Sequence, residues 1–187
     1  MILYHHFTSA TLSNTYLLGA DGESDVMLVD PTAMDIQLLH LIEGRSYYVR
    51  DILLTHPPAI GCGAVKTLLK IYDAELYGSA DHVMDFPCTR VKDRDVLKLS
   101  GMEISVIGVS GPVNGALMYR CENLLFTGDL LSAGKIFAVR RRALQRGLAA
   151  FILSRIGSLD PRVVILPSTG PPSTVGAEIA FNPFLQA

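Results

Sequence analysis

Residues 51–64 read DILLTHPPAIGCGA, a β-branched and leucine run that ends in Thr55-His56 and gives way to two prolines. A short apolar run bounded by such punctuation predicts a buried strand, here Ile52–Leu54, and the next periodic stretch predicts a helix from about Ala64 to Ile71. Upstream, strands near Thr15–Leu18 and Val26–Val29 flank the turn-forming Asp21-Gly22 pair. Met34–Glu43 then carries apolar residues at helical spacing and stops before Gly44. Downstream, short strands are expected at Ala74–Tyr77, Val96–Leu97, Glu103–Ile107, Ala116–Tyr119, Leu124–Phe126 and Val163–Leu166. A helix from about Arg141 to Ile156 has Leu144, Leu148, Phe151, Ile152 and Ile156 on one stripe, and a last helix falls near Thr174–Ala180. Strand runs interrupted by helices imply two stacked sheets with helices outside, an α+β chain built as a four-layer αββα sandwich over a single domain, residues 1–187.

Six stretches, in order, resemble the metallo-β-lactamase-fold superfamily, and most closely its small glyoxalase-II-like hydrolases. Leu12–Leu18 (LSNTYLL) resembles the family's Asn-x-Tyr-Leu strand, and Val26–Pro31 (VMLVDP) its partner ending in Asp-Pro. The 51–64 stretch lies where the family writes His-x-His-x-Asp-His. Ile104–Tyr119 resembles the segment that carries a Gly-His-Thr-Pro-Gly-Ser motif. Leu124–Phe137 (LLFTGDLLSAGKIF) resembles the one whose Thr-Gly-Asp supplies a bridging carboxylate, here Asp129. Val163–Leu185 resembles the family's ending, with Ser168-Thr169 in place of Gly-His.

The resemblance implies a vestigial site. Of the motif ligands, His56 and Asp129 remain, while Pro58, Ile60, Gly61, Pro112 and Thr169 stand at the other five positions. Proline, isoleucine and glycine offer no side-chain donor, since metals are held by imidazole, carboxylate or thiolate. A dinuclear hydrolase holds two ions about 3.5–4 Å apart to polarise a carbonyl or phosphoryl group and generate hydroxide. The ligand count excludes that chemistry, and the expected cofactor is none; the alternative is one weakly held zinc on His56 and Asp129. A further donor would have to come from His5, His6, His40, His82 or Cys62. His5 and His6 sit on an edge strand with side chains on opposite faces, His40 lies on the first helix, and His82 is placed at a helix start. His56 and Asp129 are expected to satisfy each other through a charge-assisted hydrogen bond. Ser168, Thr169 and Cys62 are the residues that a His-Asp base would activate, were there one.

Composition agrees with a chain that buries a large core: 187 residues, 49% hydrophobic and 18% charged. A formal net charge of −2 gives no global footprint for nucleic acid, and no nucleic acid partner is expected. There is no uncharged apolar run of 18 residues and no basic-then-apolar layout in MILYHHF, so neither a membrane span nor a secretory signal is expected. Cys62, Cys88 and Cys121 form neither a disulfide framework nor a CxxC zinc site and are expected to be buried thiols in a cytoplasmic protein. Arg140-Arg141-Arg142, extended by Arg146 and Arg155 with Lys135 upstream, is either a solvated helix face or a site where guanidinium forks bind phosphate or carboxylate. The preferred function is a non-catalytic pseudoenzyme acting as a binding or regulatory module for a small molecule or a protein. The alternatives are a weak mononuclear hydrolase of thioesters or other esters, and an interaction scaffold using the Arg140–Arg142 face.

Overall fold

The computed structural model describes residues 1–56, 63–109, 113 and 115–186. Two six-stranded sheets face each other. The first contains β1 (Ile2–Thr8), β2 (Ser13–Gly19), β3 (Asp25–Val29), β4 (Tyr48–Leu53), β5 (Glu75–Gly78) and β8 (Thr89–Arg90), in that spatial order. Its first three strands are an antiparallel meander, and β3, β4, β5 and β8 run parallel. The second sheet contains β9 (Val96–Leu99), β10 (Met102–Gly108), β11 (Leu117–Cys121), β12 (Leu124–Gly128), β15 (Val164–Pro167) and β16 (Ser173–Thr174), ordered β16-β15-β12-β11-β10-β9. Two small hairpins complete the strands: β6 (His82–Val83) with β7 (Phe86–Pro87), and β13 (Leu131–Ser132) with β14 (Lys135–Ile136).

The period-2 alternation of the strands sorts their side chains between two layers. Along β2, β3 and β12, the residues Tyr16, Leu18, Met27, Val29, Leu124 and Phe126 enter the core between the sheets, where they meet Ile104, Val106 and Tyr119. The alternate residues Leu17, Val26 and Leu28 turn outward, onto α1 (Ile36–Glu43) and α2 (Gly63–Ile71) through Leu38, Ile42, Val65 and Leu68. On the other side Met118, Leu125 and Ile165 pack under α3 (Arg142–Ile156) and α4 (Val175–Phe181) through Leu148, Ile152, Ile156 and Val175. The result is the αββα layering that the strand and helix pattern implies.

Three local differences from the sequence reading have plain causes. The first helix starts at Ile36 because the Asp35 carboxylate caps it, accepting from the Gln37 and Leu38 amides at 3.0 and 2.9 Å. His82 begins a two-residue strand and no helix: Met84 takes a left-handed conformation (φ 53°) at the hairpin turn, and Pro87 lacks the donor a helix needs. Leu144 shares the helical stripe of Leu148 but is 42% exposed, and the buried face of α3 begins only at Leu148.

Candidate functional site

The C-terminal ends of β3, β4, β12 and β15 meet at one edge of the sandwich, and a buried carboxylate joins them. Asp30 follows β3 in a left-handed conformation (φ 49°) and is 4% exposed. Its Oδ1 accepts the Thr55 amide at 2.8 Å, and its Oδ2 accepts the hydroxyls of Thr55, at 2.6 Å, and Ser168. A carboxylate buried this deeply requires such donors, since an ion without partners loses its hydration uncompensated. Thr55 N–H belongs to the first sheet and Ser168 to the second, so Asp30 ties the two sheets together at this edge.

Close backbone approach does the rest. Gly128 ends β12 at φ 56°, and a Cβ added there would fall 2.8 Å from Thr55 Cβ, closer than real carbons approach. The Leu117 amide donates to Thr55 O at 2.6 Å, the Ser168 amide to Gly128 O at 2.9 Å, and the Asn14 amide to Ser168 O at 2.8 Å. Asn14 Nδ2 adds bonds to Pro167 O and Gly170 O, at 2.9 and 2.8 Å. Two core tyrosines cap strand-end carbonyls from inside, Tyr16 onto Pro167 O and Tyr119 onto Leu54 O, at 2.8 and 2.9 Å. Burial raises both phenols, leaving them as neutral donors.

His56 and Asp129 each lie one residue beyond the contacting pair Thr55 and Gly128. They are not each other's partner: among the described residues no hydrogen bond or ion pair joins them. The Thr55 hydroxyl lies 3.0 Å from His56 Nδ1. Its only proton goes to Asp30, so toward His56 the oxygen accepts, which puts an imidazole proton on Nδ1. Asp129, half-buried, accepts the Thr169 hydroxyl on Oδ1 at 2.9 Å. The expected His-Asp bond is thus replaced by two hydroxyl partners, each supplied by the strand end next to it.

The other sequence candidates fall as follows. Pro58, Ile60, Gly61, Pro112 and Cys62 lie outside the described residues. Ser168 is 3% exposed and donates its proton to Asp30, which ill suits a nucleophile. His5 Nε2 is 2.8 Å from Asn14 Oδ1, and His6 Nε2 is 2.9 Å from Asp35 Oδ2, so each has a partner away from His56. His6 and the Leu38 amide hold the Asp35 carboxyl below its usual range in spite of the opposing effect of burial. His40 is exposed on α1. His82 does come close: with His56, Ser79 and Met84 it lines a cleft of about 110 Å³. Asp30 and Thr55 escaped the sequence reading. The signal was present, since a carboxylate between an apolar strand and Pro31 is costly to bury unless several donors converge on it.

The architecture matches solved structures over the whole chain. The crystal structure of the B3 metallo-β-lactamase BLEG-1 superimposes with a TM-score of 0.84, covering 100% of both chains at 22% identity. The structure of ETHE1 from Myxococcus xanthus gives 0.86, covering 98% of this chain and 84% of that one at 19% identity. This chain has the metallo-β-lactamase fold. Among proteins of known sequence, the hydroxyacylglutathione hydrolase GloC of Haemophilus influenzae is 23% identical, over 89% of this chain and 90% of its own length. Other hydroxyacylglutathione hydrolases, 29% and 32% identical, are spanned over only half their length. No protein-family profile matches the sequence.

On this metallo-β-lactamase fold, the described part of this edge presents one imidazole, held at Nδ1 by Thr55, and one carboxylate with a hydroxyl already on it. Among the described residues no three His, Cys, Asp or Glu side chains gather as a metal-binding group. The arginine run lies beyond β14. Arg140, Arg141 and Arg142 are exposed, and among the described residues none has an acidic partner within ion-pair distance. Arg155 does not belong with them: it is paired with Asp93 at 3.0 Å and stacks on Phe151. Among the described residues no helix is long and apolar enough to cross a membrane.

Proposed function

We propose that this metallo-β-lactamase-fold chain lacks the dinuclear centre of its hydrolase relatives and serves as a binding or regulatory module. The observation that carries the reading is the donor set. His56 and Asp129 are the motif donors that remain, Pro58, Ile60, Gly61 and Pro112 bring no donor atom, and Thr169 occupies a histidine position with its hydroxyl donated to Asp129. These residues do not fit a pair of metal ions, each of which needs about three strong protein ligands. The hydroxyl network of Asp30, Thr55 and Ser168 supports the same reading, because it satisfies the edge by hydrogen bonds internal to the fold. Unpaired, buried Cys88 and Cys121 suit a reducing, cytoplasmic setting.

The test is elemental analysis of the intact chain purified without chelator. Well under one equivalent of zinc, iron or manganese is expected, together with a melting temperature unchanged by EDTA, since no metal binding is coupled to folding. Stoichiometric metal that disappears in the His56→Ala, Asp129→Ala double variant refutes the loss of the metal centre, and thioester turnover that disappears with it favours the mononuclear hydrolase alternative. A second reading is favoured by the exposed arginines: a carboxylate or phosphate group docks on Arg140, Arg141 and Arg142 through guanidinium forks. Titration with inorganic phosphate tests it, with shifts of the arginine side-chain resonances expected in the parent chain and lost when all three are glutamine.

A further inference from the structure

Three sulfur atoms converge at the end of the sandwich opposite His56. Cys121 Sγ lies 3.8 Å from Met1 Sδ and 3.9 Å from Met102 Sδ. Cys121 ends β11 and pairs with Leu124, the first residue of β12, so five residues of extended chain, about 16 Å, separate it from Asp129. Cys121 and Met102 are 1% and 9% exposed, and Met1 packs half-buried against the same cluster. The cluster is not sealed. A cleft of about 420 Å³, rimmed by Glu103, Arg120 and Glu122, has Met102 and Cys121 in its wall.

Hydrogen bonding does not explain the arrangement. A thiol has one proton and donates to one thioether at a time, yet both thioether sulfurs face Cys121. Packing alone is served as well by methionine methyl and methylene carbons turned toward the thiol. Burial pushes the Cys121 thiol up to about 11, so without a cation it stays protonated. The two separations from Cys121 match edges of a metal polyhedron. Donors at about 2.3 Å from a trigonal ion, the usual metal–thiolate length, stand about 4.0 Å apart. One thiol and two thioethers are soft donors, which select Cu(I) over divalent zinc, whose protein sites use thiolate, imidazole and carboxylate.

We infer that Cys121, Met102 and Met1 form a three-sulfur site for a soft monovalent cation, Cu(I). Binding forms a Cu–S bond as the Cys121 S–H bond breaks. One proton is released to water per ion, and neither copper nor sulfur changes oxidation state. The site is independent of the proposed module function, so either can fail alone.

The test is an anaerobic titration of Cu(I) into the reduced, full-length chain, with Met1 verified by intact mass, in competition with bicinchoninate. One equivalent withheld from the chelator, about one proton released per copper, and sulfur-only coordination at about 2.3 Å by X-ray absorption are expected. Met102→Leu conserves volume and fold, and it should weaken retention by at least about 10-fold, no less than is usual for loss of a metal-site support. Cys121→Ser should abolish retention. The His56→Ala, His82→Ala double variant should bind like the parent, which separates this site from the far edge. Copper fully surrendered to bicinchoninate, nitrogen in the coordination sphere, or retention unchanged in Met102→Leu overturns the assignment, and Met102→Leu decides even if Cys121→Ser fails to fold.

Discussion

Asp30→Asn changes one carboxylate oxygen into an NH₂ group and should disturb both the stability of the edge and the protonation of His56. In the parent, Asp30 Oδ2 accepts the hydroxyls of Thr55 and Ser168. Hydrogen bonds to a charged group are worth about 1.5–3 kcal/mol each and neutral ones about 0.5–1.5 kcal/mol. Converting two bonds therefore costs about 2–3 kcal/mol, with the Thr55 amide still bound to the remaining oxygen. At a urea m-value of about 2–3 kcal/mol/M the midpoint should fall by about 1 M. The consequence for His56 follows from proton counting. The introduced NH₂ group donates to Thr55 Oγ1, whose own proton must then go to His56 Nδ1, so the imidazole proton moves to Nε2. Urea unfolding measures the first effect and ¹⁵N spectra of the imidazole measure the second. A midpoint within about 0.2 M of the parent, or a His56 still protonated on Nδ1 in the variant, refutes the reasoning.

Two further perturbations test the same edge and the core. Gly128→Ala forces a side chain into the left-handed region and toward Thr55, and should destabilise by about 2–4 kcal/mol; chemical denaturation within about 0.5 kcal/mol of the parent would mean the close approach is absent in solution. Asp51 is 4% exposed, and burial raises its carboxyl above 3.8, with the Ser100 hydroxyl at 2.6 Å opposing. A raised acid binds its proton more tightly in the folded state, so this group's contribution falls as pH rises from 3.8 through the raised value. Asp51→Asn should accordingly be more stable than the parent at pH 7 and lose that advantage near pH 3; thermal melts at the two pH values with equal differences contradict it.

The layering of this chain and the succession of strands and helices along it were largely legible in the sequence. Buried strands announce themselves as short apolar runs, and Leu148, Ile152 and Ile156 announce the packed face of α3 by spacing alone. The absence of donor side chains at Pro58, Ile60, Gly61 and Pro112 is a property of composition and needs no structure. Partnership was not legible. Asp30 and Ser168 are 138 residues apart, and Thr169 and Asp129 are 40 apart. No local period encodes which strand ends meet. That depends on parallel crossovers setting β3 beside β4 and β12 beside β15, and on Gly128 letting two backbones approach. Sequence reading paired His56 with Asp129 because both looked unsatisfied. Tertiary structure gave each a hydroxyl instead, Thr55 beside His56 and Thr169 beside Asp129. The same holds for Met1, Met102 and Cys121, which no spacing relates and which share a corner only because β1 and β10 close over the end of β11. Covalent pattern determines which faces are apolar and which donors exist; only the packing of two sheets determines which polar atoms are left to find one another.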